Sequence, residues 1–472
     1  MVGSPNYSDP QISGAVNGAL VPRQPGSAIK PFTYAAALQA NYTPATVLYD
    51  VRTVYQTAEG DPYIPINYDR AYHGPITLRH ALATSSNVAA VQILNDLGLQ
   101  SLLDLGHRCG LRWYGNPNKF GLALTLGGSE VRLLDLTGAY ACFAAGGIRR
   151  APKAIATIHN PAGDPIPWPK PDGERVLDER VAYLITDILA DDHARLPAFG
   201  ERSALFIGRP AAVKTGTTTN WRDNWTVGYT PELTVGVWLG NADNVPMRKM
   251  MGATGAAPIW HRFMGKVLAD RPIIRFDSPR LVEKAVCPVT GLVSSLACPE
   301  QYYEKFVPGT EPVETCNAHR LYRIDAATGL VATALTPPSE IITRTYVSLP
   351  PQAQEWGQAR GIPAPPDRID SPSRGKDSDL LEINQPAANT RYVLDDTLPS
   401  EAQIIEFSVQ WHGTRPAPAI ALFLDNEPLT TWSEPPYTYP WPLRPGEHTL
   451  LARTVSKSPP VTSQLLRFYV EP

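Results

Sequence analysis

Two hydrophobic periods divide this chain, and no single kind of layer satisfies both. Before residue 200 the apolar residues recur at helical spacing. Val181, Leu184, Ile185, Ile188 and Leu189 form one stripe within a helix expected over 179–195. Helices are also expected over 27–40, 77–110 and 130–145. In the second of these Thr77 serves as N-cap, the polar run TSSN interrupts, and Gly110 closes. After residue 210 the pattern changes to short β-branched and aromatic runs, AAVKTGTT, NWTVGYT and LTVGVWLGN, separated by turn residues. These read as an antiparallel meander. A helix over APIWHRFMGKVLAD follows, so the reading is an α+β domain ending near residue 275.

A length of 472 residues implies more than one core. The chain carries 48 prolines, about twice the usual share, and they concentrate after residue 330. Residues 337–376, with TPPSE, LPPQAQ, IPAPPDR and SPSRGK, read as a linker. Beyond them IIEFSVQW, AIALFLDNEPL, HTLLARTV and SQLLRFYV are strands at the spacing of a β-sandwich. A net charge of -3 without a basic run gives no electrostatic case for nucleic acid. No stretch approaches the roughly 18–20 apolar residues of a membrane helix, and MVGSPNYSDPQ does not read as a signal peptide.

The cysteines fall into two groups. Cys109 and Cys142 lie in apolar helical contexts and read as free buried thiols. Cys287, Cys298 and Cys316 cluster in a loop-rich segment, where a disulfide is the first reading and would imply an oxidising compartment. Zinc with His319 as fourth ligand is the second reading. It lacks a C-x2-C knuckle, so no metal and no cofactor is expected.

Ser27 and Lys30 stand three residues apart at an expected helix start, where their side chains share a face about 5–6 Å apart. A serine nucleophile needs a base, and a lysine with its ordinary pKa of about 10.4 is charged and cannot serve. Lowering it by about three units costs roughly 4 kcal/mol, which burial and a second cation can impose. Alone the spacing is weak: Ser373 and Lys376 repeat it inside the proline-rich segment. Order along the chain makes the difference. Ser85-Ser86-Asn87 follows at a break between helices, and Lys214-Thr215-Gly216-Thr217 falls on the first strand of the meander. Ser85 is suited to relay a proton, Asn87 to hold a substrate amide, and Lys214 to supply the second cation. Thr215 and Thr217 are suited to bind a substrate carboxylate, and Gly216 to let a ligand lie along the strand. Backbone N–H groups of Ser27 and Thr217 would form an oxyanion hole.

The set Ser-x-x-Lys, Ser-x-Asn and Lys-Thr-Gly is shared by penicillin-binding proteins and class A β-lactamases. PRQPGSAIKPF, SSNVAAV, LGGSEVRLLDLTGAYACFAAGG, VKTGTTTNWRDNWTVGYTPELTVGVWLGN and CPVTGLVSSLACPE resemble class A penicillin-binding proteins, most closely the 1C type. DNEPL and LRPGEHTL resemble the β-sandwich module that ends 1C-type chains. The resemblance implies a serine transpeptidase/β-lactamase-like α+β domain over 1–280 and a Cys-containing, Pro-rich connector over 281–378. A C-terminal all-β sandwich over 379–472 follows. It implies a serine D,D-transpeptidase that cross-links peptidoglycan stem peptides and is acylated by β-lactam antibiotics at Ser27. Lys30 would be the base, and Ser85, Asn87, Lys214, Thr215, Gly216 and Thr217 would keep the roles above. It also implies a place at the periplasmic face of the bacterial inner membrane, with an envelope protein as a candidate partner of the C-terminal module.

Family members carry an amino-terminal membrane helix and a glycosyltransferase domain. Against that pattern this chain begins inside the transpeptidase domain, so glycosyltransferase activity is not expected, and a sheet edge is left without its first strand. A β-lactamase would need a deacylating Glu-x-x-x-Asn, which does not occur between Asn87 and Lys214. A D,D-carboxypeptidase differs only in its acceptor, and a non-catalytic β-lactam sensor or scaffold is the alternative from another class.

Overall fold

The computed structural model describes residues 1–57, 60–167, 173–201, 203–248, 251–326, 329–332, 336–366, 380–394, 403–412, 418–455 and 460–471. Ser373 and Lys376, and the boundary at 378, lie outside the described residues. The chain divides into two compact units, one formed by Met1–Tyr322 with Thr343–Pro365, the other by Arg323–Ile342 with Pro366–Pro472.

At the centre of the first unit stands α1 (Lys30–Gln39), entered through a 3-10 turn over Gly26–Ile29. Every residue from Lys30 to Leu38 is buried. That is the consequence of a sequence apolar on all sides, KPFTYAAAL, which has no face to give to solvent. The next helices are α2 (Leu78–Ala83), α3 (Asn87–Leu97) and α4 (Leu99–Cys109). Thr77 caps α2 by accepting from the His80 N–H, and Gly110 ends α4 in the left-handed region at φ +103°. Two short strands, β1 (Val47–Asp50) and β2 (Gly74–Thr77), pair antiparallel beside them. After α5 (Leu133–Ala144), the helix expected over 179–195 is two helices, α6 (Glu179–Leu189) and α7 (Asp192–Phe199). The break occurs because Asp191 turns its carboxylate to cap α7, accepting from the Ala194 N–H.

The meander forms as the alternation predicts. Strands β3 (Ala212–Thr217), β4 (Asp223–Tyr229) and β5 (Thr234–Gly240) make an antiparallel sheet in the order β5-β4-β3. All seven residues of β4 are buried, as befits its central place, and β3 lies at the edge. α8 (Ala256–Leu268) covers part of this sheet through Trp260 and Met264. Beyond it β6 (Val282–Val286) and β7 (Tyr302–Phe306) form a hairpin. Much of the expected linker is folded into this unit. The helix Pro351–Ala359 presents Trp356, whose indole N–H donates to the Tyr72 carbonyl at 2.9 Å while its ring covers Gly74. The prolines there start a helix, a position that needs no backbone donor.

Two sheets stand among the described residues of the second unit. One is three-stranded, from β8 (Leu380–Gln385), β10 (Ile404–His412) and β13 (Tyr437–Pro442) in the order β8-β10-β13. The other is five-stranded and joins β9 (Arg391–Val393), β11 (Ile420–Leu424), β12 (Glu427–Trp432), β14 (Gly446–Thr454) and β15 (Leu466–Glu471). Its order is β9-β15-β14-β11-β12. Phe407 and Trp441 of the first sheet meet Phe468 of the second with ring centroids 5.8 and 5.7 Å apart, so the sheets enclose one aromatic core. Among the described residues, no helix is long and apolar enough to cross a membrane.

Candidate active site

Pro31 decides how Ser27 is presented. It lacks a backbone donor, so it is harmless only in a first turn. The structure puts it there, within the first two positions of α1, and leaves Ser27 on the preceding 3-10 turn. Ser27 is half-buried whereas Lys30, three residues on, is wholly buried. The turn is braced from two sides: the Tyr140 hydroxyl donates to the Ala28 carbonyl at 2.6 Å, and the Trp225 indole N–H to the Gln24 carbonyl at 2.7 Å.

Lys30 does not hydrogen-bond Ser27; among the described residues no such bond joins the pair. Its Nζ is directed at the break between α2 and α3, donating to the carbonyls of Ser85 at 2.6 Å and Ser86 at 3.1 Å and to Asn87 Oδ1 at 2.7 Å. Ser85 Oγ lies 3.3 Å from Lys30 Nζ and accepts from Lys214 Nζ at 2.8 Å. One hydroxyl therefore touches both lysines. Ser85 achieves this in the left-handed region, φ +66°, a conformation unusual for a residue with a side chain and one that clusters at functional sites.

Both lysines are shifted toward the neutral form that a base requires. Burial pushes Lys30 well below the ordinary lysine range, the Lys214 charge pushes it further, and Asp50 opposes. Lys214 is lowered to about 7, by burial and then by Arg195. The second lysine that the sequence argument demanded thus lies beside Lys30.

The strand β3 divides the Lys-Thr-Gly-Thr run between its two faces. Lys214 reaches Ser85, and a Cβ on Gly216 would meet the Pro25 carbonyl oxygen at 2.1 Å. Gly216 is therefore required to seat the Ser27 turn against the strand, a stricter demand than room for a ligand. Thr215 and Thr217 point to the opposite face. There the Gly252 N–H donates to Thr217 Oγ1 at 2.9 Å, so the two hydroxyls do not join the cluster at Ser85. Asn87 is also engaged, its Nδ2 donating to the Ile66 carbonyl at 2.8 Å.

Four contributors escaped the sequence reading. Asp50, wholly buried, accepts from both directions: Asn67 Nδ2 lies 2.7 and 2.8 Å from its two oxygens, and His73 Nδ1 lies 2.9 Å from Oδ2. Asn67 Oδ1 accepts the Asn87 N–H at 2.8 Å and so fixes the first residue of α3. Gly127 has φ +88°, and a Cβ there would stand 2.3 Å from the Gly26 nitrogen, so it backs the Ser27 turn. Asp50, Asn67 and His73 carry no spacing signal, and Gly127 was visible only as part of LGGSEV.

The disulfide expectation is corrected. Cys287, Cys298 and Cys316 are all free. Three thiols cannot all pair, and here they surround the His319 imidazole, 3.4 Å from Nδ1 in the case of Cys287 and of Cys316.

Residues 1–265, more than half of the chain, match the family described as penicillin binding protein transpeptidase domain. The chain belongs to that family. Residues 278–321 also match the C-terminal domain of penicillin-binding protein 1A. It is 35% identical over 320 residues to penicillin-binding protein 1A of Aquifex aeolicus, covering 67% of this chain and 43% of the relative. It is 33% identical over 302 residues to penicillin-binding protein 2D of Bacillus subtilis, covering 62% and 43%. With penicillin-binding protein 1C of Escherichia coli it shares 33% over 288 residues, covering 59% and 34%. The crystal structure of penicillin-binding protein 1A from Haemophilus influenzae has a similar fold, with a TM-score of 0.58 at 29% identity over 64% of this chain and 51% of that one. The chain spans about two-fifths of the length of the first two relatives.

Proposed function

We propose that the chain is a serine D,D-transpeptidase that cross-links peptidoglycan stem peptides through an acyl-enzyme on Ser27. The observation that carries this reading is the convergence of two buried lysines on Ser85, beside the turn that presents Ser27. In the proposed reaction Ser27 Oγ attacks the carbonyl of the penultimate D-alanine. Its proton passes to Lys30, whose amine is buried three residues further along the chain. Ser85, in contact with both lysines, returns the proton to the departing D-alanine amine. The N–H groups of Ser27 and Thr217 receive the oxyanion, an assignment supported by Thr217 N lying 2.8 Å from the Cβ position of Gly26. The substrate's extended end adds along the free edge of β3, past Thr215, Gly216 and Thr217. An amine of a second stem peptide then takes the acyl group. Water in that place would make the enzyme a D,D-carboxypeptidase.

In the same reading β-lactams acylate Ser27, the work is done at the periplasmic face of the inner membrane, and residues 379–472 are a binding module for peptidoglycan or an envelope protein. A stem peptide ending in D-alanyl-D-alanine, offered with and without an amine acceptor, tests the proposal. Release of D-alanine with an acceptor-dependent cross-linked product is expected. Release without that product would favour the carboxypeptidase, and acylation by penicillin without any release would favour a sensor or scaffold.

A further inference from the structure

The side chains of Cys287, Cys298, Cys316 and His319 form a cluster apart from the Ser27 site, and the proposed chemistry makes no use of it. Their three sulfur atoms and one imidazole nitrogen all lie within 4.8 Å of one another. A tetrahedral zinc ion with three thiolates and one imidazole has edges of about 3.8 Å between sulfurs and about 3.6 Å from sulfur to nitrogen. The two sulfur–nitrogen separations here are both 3.4 Å. A disulfide would need about 2.05 Å between two sulfurs and would strand the third thiol against a histidine. We propose that Cys287, Cys298, Cys316 and His319 bind one zinc ion in a closed, structural Cys3His site.

The surroundings fit bound thiolates. The Ser295 N–H donates to Cys298 Sγ at 3.4 Å. The N–H groups of Val289 and Thr290 face Cys287 Sγ, and those of Ala318 and His319 face Cys316 Sγ. Such N–H groups offset thiolate charge around a metal. The chain also turns as a ligand loop must: Cys287 N–H donates to the Leu292 carbonyl at 2.9 Å, and Gly291, at φ +69°, donates to the Cys287 carbonyl at 2.8 Å. Cys287 and Cys316 are buried with Ala318, and Val289 and Val347 pack against them, a shell that shields the ion from water. Binding releases three thiol protons to solvent, leaves the imidazole neutral, and involves no redox change.

The segment has little apolar core of its own, although the Arg79–Glu304 pair ties β7 to α2. Its apolar cores are two small clusters, one around Val286 and Phe306 and the other around the cysteines themselves. A zinc ion supplies the cross-link that so small a core lacks. The sequence reading set zinc second because ligands 11, 18 and 3 residues apart lack a C-x2-C knuckle, and only the fold brings them together.

The whole chain, purified without chelator, is assayed for zinc by mass spectrometry and for thiols by alkylation before and after treatment with a mercurial reagent. About one zinc per chain, released together with three newly reactive thiols, is expected. Cys298→Ser, at the most exposed ligand, is expected to lose zinc to a chelator at least about tenfold faster while retaining penicillin labelling. Should that variant fail to fold, cobalt substitution of the wild-type chain decides. Thiolate-to-cobalt charge-transfer bands with tetrahedral d–d bands support the site. A disulfide among the three cysteines in the purified chain would overturn the proposal, as would three freely reactive thiols without bound metal and without a cobalt spectrum.

Discussion

Replacing Lys214 with methionine removes a cation while keeping the bulk of the side chain. Ser85 Oγ lies 2.8 Å from Lys214 Nζ and 3.3 Å from Lys30 Nζ, so the two nitrogens are at most about 6 Å apart. At that separation and an effective dielectric near 20, two unit charges repel by about 3 kcal/mol, or about two pKa units. Lys214 is lowered to about 7, so its charge acts fully only below that pH, and the shift of about two units is expected there. Burial, the larger cause of the shift at Lys30, remains in the variant. The acid limb of the acylation rate against pH is therefore expected to move upward by about two units, with about a 100-fold loss on that limb. Stopped-flow labelling with a fluorescent penicillin over a pH series measures it. The position of the limb is the readout, because a lost substrate contact lowers the plateau without moving the limb. An acid limb that stays in place would refute the claim that Lys214 tunes Lys30.

Other expectations follow from the same geometry. The unfolded chain binds more protons than the folded one between about 7 and about 10.4 at Lys214. Wild-type stability therefore rises with pH across that window as the folded-state penalty on the charged amine is lost, and Lys214→Met should be relatively more stable at low pH in melts taken along a pH series. Arg79, at the start of α2, binds both oxygens of wholly buried Glu304 at 2.7 and 2.6 Å and also contacts Asp187 and Asp191. Arg79→Leu strands these carboxylates and is expected to cost about 3–5 kcal/mol in urea unfolding; an unchanged midpoint and slope would contradict that. Gly216→Ala should displace the Ser27 turn, costing about 1–3 kcal/mol and slowing acylation at least about tenfold. A variant that labels at the wild-type rate would show that the turn is not seated on β3. Asn67→Ala removes the acceptor for the Asn87 N–H and the donor to buried Asp50, and should cost about 1–3 kcal/mol with slower acylation.

Ser27, both lysines and the Ser85–Asn87 break were legible because the proposed chemistry fixes residue type and spacing within short segments. The helical region, the meander and the strand-rich end were legible from period. What the sequence hid depends on the third dimension. The split at Asp191 is a competition between one side chain and the helix that would otherwise continue. The division of Lys214 and Gly216 from Thr215 and Thr217 follows from the pleat, which a motif does not display. The partners of Asp50 come from segments 17 and 23 residues away with no periodic relation. The cysteines and His319 were visible as a cluster, but their convergence around one imidazole nitrogen was not.

The central claim is that Ser27 is the acylated nucleophile and Lys30 its base. The most direct test is to label the folded chain with penicillin and map the adduct by peptide mass spectrometry, alongside Ser27→Ala and Lys30→Ala. The account predicts a single adduct on Ser27, none in Ser27→Ala, and acylation of Lys30→Ala slowed by about 10²–10⁴ without loss of fold. An adduct at another residue would contradict it, and so would a folded wild-type chain that takes no label or a Lys30→Ala variant that acylates at the wild-type rate.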